Sequence, residues 1–246
     1  MAETTNYTLC IDWTGDGDFG DTGELLTDRV IFLEFERGKN FPSQLTGRSV
    51  AGSLRAIINN TSNDYSPFNS SSGLYGNLIP GRRVQVQVAR GVEFPYTFPF
   101  AFAGTPLWTG FISSIKPQVI VNQARTVELR AFGGLAWVAR KEVQIARQED
   151  KRIDELIGTI LDDAGWAAGD RDLSEAKTTV TSYWNNGQSA MAALRELEES
   201  EPGFIKEDKD GKIGFEDREY RMRDDALVSQ LTFSDDAGRT FPIESI

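Results

Sequence analysis

The chain has 246 residues, 39% of them apolar and 26% charged, with a mean hydropathy of -0.36, which describes one large or two ordinary globular domains. No apolar stretch reaches the roughly 20 residues needed to span a bilayer. The opening Met-Ala-Glu-Thr-Thr-Asn does not read as a secretory signal, and a single cysteine suits assembly in a reducing cytosol. Histidine is absent, removing the commonest general base, metal ligand and nucleophile activator. The net charge of -11 argues against a nucleic-acid-binding surface, and the single cysteine, Cys10, excludes an intrachain disulfide.

Tyr7, Leu9 and Ile11 alternate with Thr8, Cys10 and Asp12, the period of a half-buried strand. The acidic stretch that follows, from Asp12 to Asp21, has two readings. As a tight turn, its aspartates accept backbone N–H bonds while its glycines take positive φ. As a calcium loop, Asp12, Asp16, Asp18 and Asp21 would supply oxygen ligands around a bend at Gly17. The spacing fits that motif only in part, because Glu24 falls one position late for the closing ligand.

Residues 53–60 suit a strand or a short helix, with strand the expectation. Val84, Val86 and Val88 alternate with Arg83, Gln85 and Gln87. Phe94, Tyr96, Phe98, Phe100 and Phe102 alternate with prolines and small residues, which places all five rings on one side of an extended chain. Because proline cannot donate a ladder bond, that run is an edge strand or a projecting loop. Its rings either contact a neighbouring subunit or fill the domain's own core. Leu107 to Val121 is a strand interrupted by Gly110 and Pro117, and Val127, Leu129 and Ala131 mark another.

After Ala146 the period changes. Ile153, Leu156, Ile157, Ile160, Leu161 and Ala164 fall at steps of three and four, which predicts a helix from Lys151 to Trp166 with Asp150 as N-cap and Gly165 as its stop. A second helix is predicted from Ser189 to Ser200, ended by Pro202-Gly203. Phe204 to Lys206 and Ile213 to Phe215 then flank Asp208-Lys209-Asp210-Gly211, a hairpin signal. The expected fold is mainly β with an α+β part. Residues 1–147 form an antiparallel β-barrel or sandwich, residues 148–225 a small α+β domain of two helices and a hairpin, and residues 226–246 an extended segment that begins a further domain or ends the chain.

Three segments in this order carry a family resemblance: Leu-Thr-Gly-Arg-Ser-Val-Ala-Gly-Ser-Leu-Arg-Ala at 45–56, the run from Asp64 through Pro67, Tyr75 and Pro80 to Val84, and Gln188 to Ile205 with the hairpin after it. Together they resemble bacteriophage tail proteins of the baseplate-hub or tail-hub group. That resemblance implies a tube-like β domain with an α+β domain beside it and no catalytic residues. It implies a homotrimeric ring at the virion's tail tip or baseplate, assembled in the host cytoplasm. Its partners would be the tail tube protein, distal tail and baseplate proteins, the tape measure protein and a tail fibre or spike. DNA would pass through its lumen during ejection without specific binding, and excess acid in the wall would keep it from sticking. Related hubs usually carry a second tube-like domain after a segment like Ser229 to Asp235, whereas this sequence stops at Ile246.

Two other readings stand beside it. The Asp12–Asp21 stretch and the Phe94–Phe102 strip also suit a calcium-dependent β-sandwich adhesion or carbohydrate-binding module of a virion, with calcium as the sole cofactor. Paired carboxylates would serve a tail-associated cell-wall hydrolase, although none of the 37 acidic residues sits in a motif with an assignable role.

Overall fold

Strand-period alternation in the first half and helix-period spacing in the second produce two hydrophobic clusters in the computed structural model, which describes residues 5–39, 48–90, 104–118 and 125–222. The first cluster lies under a six-stranded antiparallel sheet. Its strands are β1 (Thr5–Ile11), β2 (Val30–Lys39), β3 (Ser49–Asn59), β4 (Arg83–Arg90), β5 (Thr105–Gln118) and β6 (Thr126–Phe132), in the spatial order β1-β4-β5-β6-β3-β2. The sheet curls as a half-barrel around Leu9, Ile11, Leu54, Ala56, Ile58, Val84, Val86, Trp108, Ile112, Val127 and Leu129. Burying one such side chain contributes roughly 1.5–3 kcal/mol. Bulges in β5 between Ile112 and Ser114, and in β2 between Val30 and Phe32 and between Glu36 and Gly38, add local bend.

The alternation holds where one face of the sheet meets solvent. It breaks down in β1, where Cys10 is buried along with Leu9 and Ile11, and in β4, where Gln85 is buried between Val84 and Val86. The reason is a second layer on the outer face, since Gln85 Nε2 bonds Thr109 Oγ1, and that hydroxyl bonds the Lys209 carbonyl, each at 2.9 Å.

That layer is the second unit: α1 (Gly134–Val138), β7 (Glu142–Arg152), α2 (Ile153–Asp163), β8 (Arg171–Leu173), β9 (Thr179–Ser189), α3 (Ala190–Ser200), β10 (Phe204–Glu207) and β11 (Ile213–Glu216). β7 and β9 form a two-stranded antiparallel ribbon. β10, β11 and β8 form a mixed sheet, antiparallel between β10 and β11 and parallel between β11 and β8. The ribbon strand β7 runs straight across residue 147, and its Val143 and Ile145 pack in the second cluster with Leu156, Ile160, Leu194 and Phe215.

The predicted helices are present with adjusted ends. Arg152, not Asp150, caps α2, because Asp150 stands inside β7 at φ +50°. Gly165 ends the turn at φ +75°, a conformation that costs glycine no Cβ clash. Ser189 caps α3 by accepting the Ala192 N–H at 3.2 Å. Gly211, at φ +82°, turns the β10–β11 hairpin.

Candidate functional site

Two places combine exposed chemistry with a defined scaffold: the acidic loop and the outer edges of the sheet. The loop leaves β1 at Asp12 and returns beside it, where the Glu24 carbonyl accepts Ile11 N–H at 2.9 Å and Leu26 N–H reaches the Leu9 carbonyl at 2.9 Å. Inside the loop the carboxylates face backbone amides. Asp12, 2% exposed, accepts from Gly15 N–H and, at 3.0 Å, from Gly17 N–H. Asp16 accepts from Asp18 N–H at 3.1 Å, and Asp18 from Gly20 N–H at 2.8 Å. Asp21 uses its own N–H to bond the buried Glu24 carboxylate.

The structure therefore places the four aspartates along one turn, each accepting carboxylate serving its own stretch of backbone. Among the described residues, no group of three or more acidic, histidine or cysteine side chains converges as a metal centre. Glu24, one position late for a calcium loop's closing ligand, closes this loop instead by accepting backbone N–H groups from Trp13 and Asp21. Nearby, burial and then the Glu24 charge push the Cys10 thiol up to about 11, leaving it unreactive at neutral pH.

The strip Phe94, Tyr96, Phe98, Phe100 and Phe102 lies outside the described residues. The end strands of the sheet expose Tyr7 on β1 and Ile31 and Phe32 on β2, while other exposed apolar groups are spread over the surface, at Phe68, Tyr75 and Ile79 between β3 and β4 and at Trp184 on β9. β2 is an end strand of ten residues, paired with β3 on one side and with no strand on the other among the described residues. The opposite end strand, β1, is paired on its outer side at Cys10 with Leu25, which leaves the Thr5–Thr8 backbone edge open among the described residues.

The sheet's outer face carries both charge signs. Arg55, Arg130 and Lys116 share it with Glu34 and Glu128, and the acid excess is not concentrated there. Glu128 accepts from Arg55 and Arg130 at 2.9 and 3.0 Å, and those bonds, Arg130's first, hold its carboxyl below the usual range.

No protein-family model matches the chain, and no curated protein matches it. The fold is nevertheless found among solved structures. It is similar to the 43 kDa tail protein of prophage MuSo2 from Shewanella oneidensis, at 11% identity and a TM-score of 0.50, covering 87% of this chain and 54% of that one. It is also similar to the tail protein from Neisseria meningitidis MC58, at 10% identity and a TM-score of 0.53, covering 86% of this chain and 51% of that one. The chain thus shares the fold of these two tail proteins and spans about half their length.

Proposed function

We propose that this chain is a hub-type subunit at the tip of a phage-like tail, and that it acts by assembly rather than catalysis. The observation that carries the reading is the open β2 edge, ten residues long with Ile31 and Phe32 exposed beside it. A lone domain normally shields such an edge, because its unpaired N–H and C=O groups recruit another strand. Successive antiparallel pairings across the six strands leave β2 antiparallel to β1. The β2 edge of one copy is therefore directed to continue onto the Thr5–Thr8 edge of the next by antiparallel bonds. Repetition about an axis closes a ring, and three copies is the proposed number.

In this reading the six-stranded sheet from β1 to β6 builds the ring wall, and the unit from α1 to β11 braces it from outside. The ring joins the tail tube to the distal tail or baseplate proteins, the tape measure protein and a fibre or spike, and its lumen forms part of the path for DNA ejection. The Phe94–Phe102 strip serves as a second contact between subunits. The shared fold with two tail proteins supports the tail assignment, while the ring, its stoichiometry and its neighbours are the proposal's own. The test is a cryo-EM reconstruction of the assembled particle together with sedimentation of the purified chain. A threefold ring at one end of the tube is expected, and an Ile31→Lys/Phe32→Lys chain that folds but stays monomeric. A wild-type chain that is monomeric at every concentration and missing from the tail tip overturns it.

A further inference from the structure

The joint between the sheet and the second unit is built around one carboxyl group. Glu207 ends β10 and is 6% exposed. Its Oε2 accepts the Leu135 N–H at 3.0 Å, while Oε1 makes no well-formed hydrogen bond among the described residues and has only a weak favourable approach of the Gly52 backbone. The indole Nε1 of Trp108, on β5, is buried without a partner among the described residues.

Two glycines make room for this arrangement. A Cβ at Gly133 would overlap both Glu207 oxygens. A Cβ at Gly52 would overlap Trp108 Nε1 and lie 3.2 Å from Glu207 Oε1. These glycines also tie β3 to the end of β6, since Gly133 N–H bonds the Gly52 carbonyl at 2.8 Å. The carboxyl thus sits where backbone from β3, the β6–α1 junction and β10 comes closest, and burying its charge with one oxygen poorly paired is unfavourable.

We propose that Glu207 is a protonation-controlled latch between the sheet and the second unit. With the proton on, the neutral acid is accommodated at the joint and β10 seats against Gly52 and Gly133. When the proton leaves to solvent, the buried negative charge favours opening of the joint so that water reaches the carboxylate.

The surrounding charges leave this switch to Glu207. Arg37, on β2, favours the ionised form and Asp208 opposes it. Most other charged groups on elements packed against β10 have partners of their own: Arg195 with Glu198 on α3, Glu199 on α3 with Arg48, Lys206 with Glu216 across the hairpin, and Arg55 on β3 with Glu128, while Glu196 on α3 accepts from Gln188. α1, Gly-Leu-Ala-Trp-Val, contributes none. Burial, the largest influence, pushes the Glu207 carboxyl up to about 7, so the switch falls near neutral pH.

The test is hydrogen exchange of the intact chain between pH 5 and 8, corrected for intrinsic rates. Protection of the Leu135 and Gly133 amides is expected to fall tenfold or more across that range in the wild type, and to stay level in Glu207→Gln. An unchanged wild-type protection, or a Gln variant with the same pH profile, overturns the latch. If the Gln variant does not fold, the carboxyl carbon shift of Glu207 in the wild type decides. A midpoint above pH 6 supports the proposal, and one in the ordinary glutamate range overturns it.

Discussion

Glu24 holds the backbone of Trp13, eleven residues earlier in the chain, by accepting its N–H at Oε1 at 2.9 Å. Its other oxygen takes the Asp21 N–H at 3.0 Å, so one buried side chain ties both ends of the acidic loop. Trp13 is 1% exposed and sits in the first core with its indole donating to the Gly23 carbonyl at 3.2 Å. Glu24→Ala strands two amides and loosens a core tryptophan. The expected cost is roughly 2–3 kcal/mol, read from the urea midpoint. Asp18→Ala, at an exposed carboxylate serving one local turn, should shift stability by less than about 0.5 kcal/mol.

Calcium tests the loop separately. A cation at Asp12 would compete with the N–H groups of Gly15 and Gly17 for the same carboxylate. A ligand that binds only the native state raises stability by RT ln(1 + [L]/Kd), about 2.7 kcal/mol at a hundredfold excess over Kd. With the aspartates engaged along the turn, millimolar calcium is expected to move the melting temperature by less than about 1 °C by this relation. Calorimetry that finds binding heat and a clear upward shift would favour the calcium-dependent adhesion reading over the tail-hub one.

Much of the sheet was legible because its residue types alternate, even where Gln85 and Glu128 on the second face are also buried. Val84 and Val86 alternate with polar residues, as do Val127 and Leu129, and each pair is buried. α2 was legible for the matching reason, since its apolar residues at steps of three and four all enter one core. β7 was not, because Glu-Val-Gln-Ile-Ala-Arg-Gln-Glu-Asp-Lys-Arg forms one strand of an isolated ribbon and buries only Val143 and Ile145. Five-residue α1 is too short to show a period. The Glu207 joint was hidden for another reason: it unites Gly52, Trp108, Gly133 and Glu207 from distant parts of the chain, and no local pattern reports long-range proximity. The shared tail-protein fold agrees with the resemblance read from the motifs, while the acidic loop's internal bonding emerged only with the backbone in place.

Steric room at the joint gives a third prediction. Gly133 adopts φ -76°, which any residue tolerates, so Gly133→Ala tests packing alone. Its new methyl collides with the Glu207 carboxylate and should cost about 1–3 kcal/mol. Removing the obstacle, as in Gly133→Ala combined with Glu207→Ala, should make the pair less damaging than the sum of the single changes by at least about 1 kcal/mol. Strict additivity in denaturant unfolding would show that the two residues do not meet.

The joint also dictates how stability depends on pH. Glu207 is raised from the ordinary glutamate value to about 7 in the folded chain, chiefly by burial. In the unfolded chain it returns to the ordinary value, so between the two the folded state holds the proton that the unfolded state has lost. Its contribution is therefore full below about pH 4.3, declines as pH rises and levels off above about 7. The decline amounts to at most about 4 kcal/mol, from 1.36 kcal/mol per pKa unit. Glu128, held low by Arg130 and Arg55, acts in the opposite sense: its contribution is lost as pH falls through its lowered folded value, below this window. Urea unfolding at pH 5, 6, 7 and 8 separates the two. The wild type should lose stability across the series and Glu207→Gln should not, so that the difference between them grows from pH 5 to 7 and then stays constant. A constant difference throughout would mean that Glu207 titrates as an ordinary surface glutamate and that the joint does not control its proton.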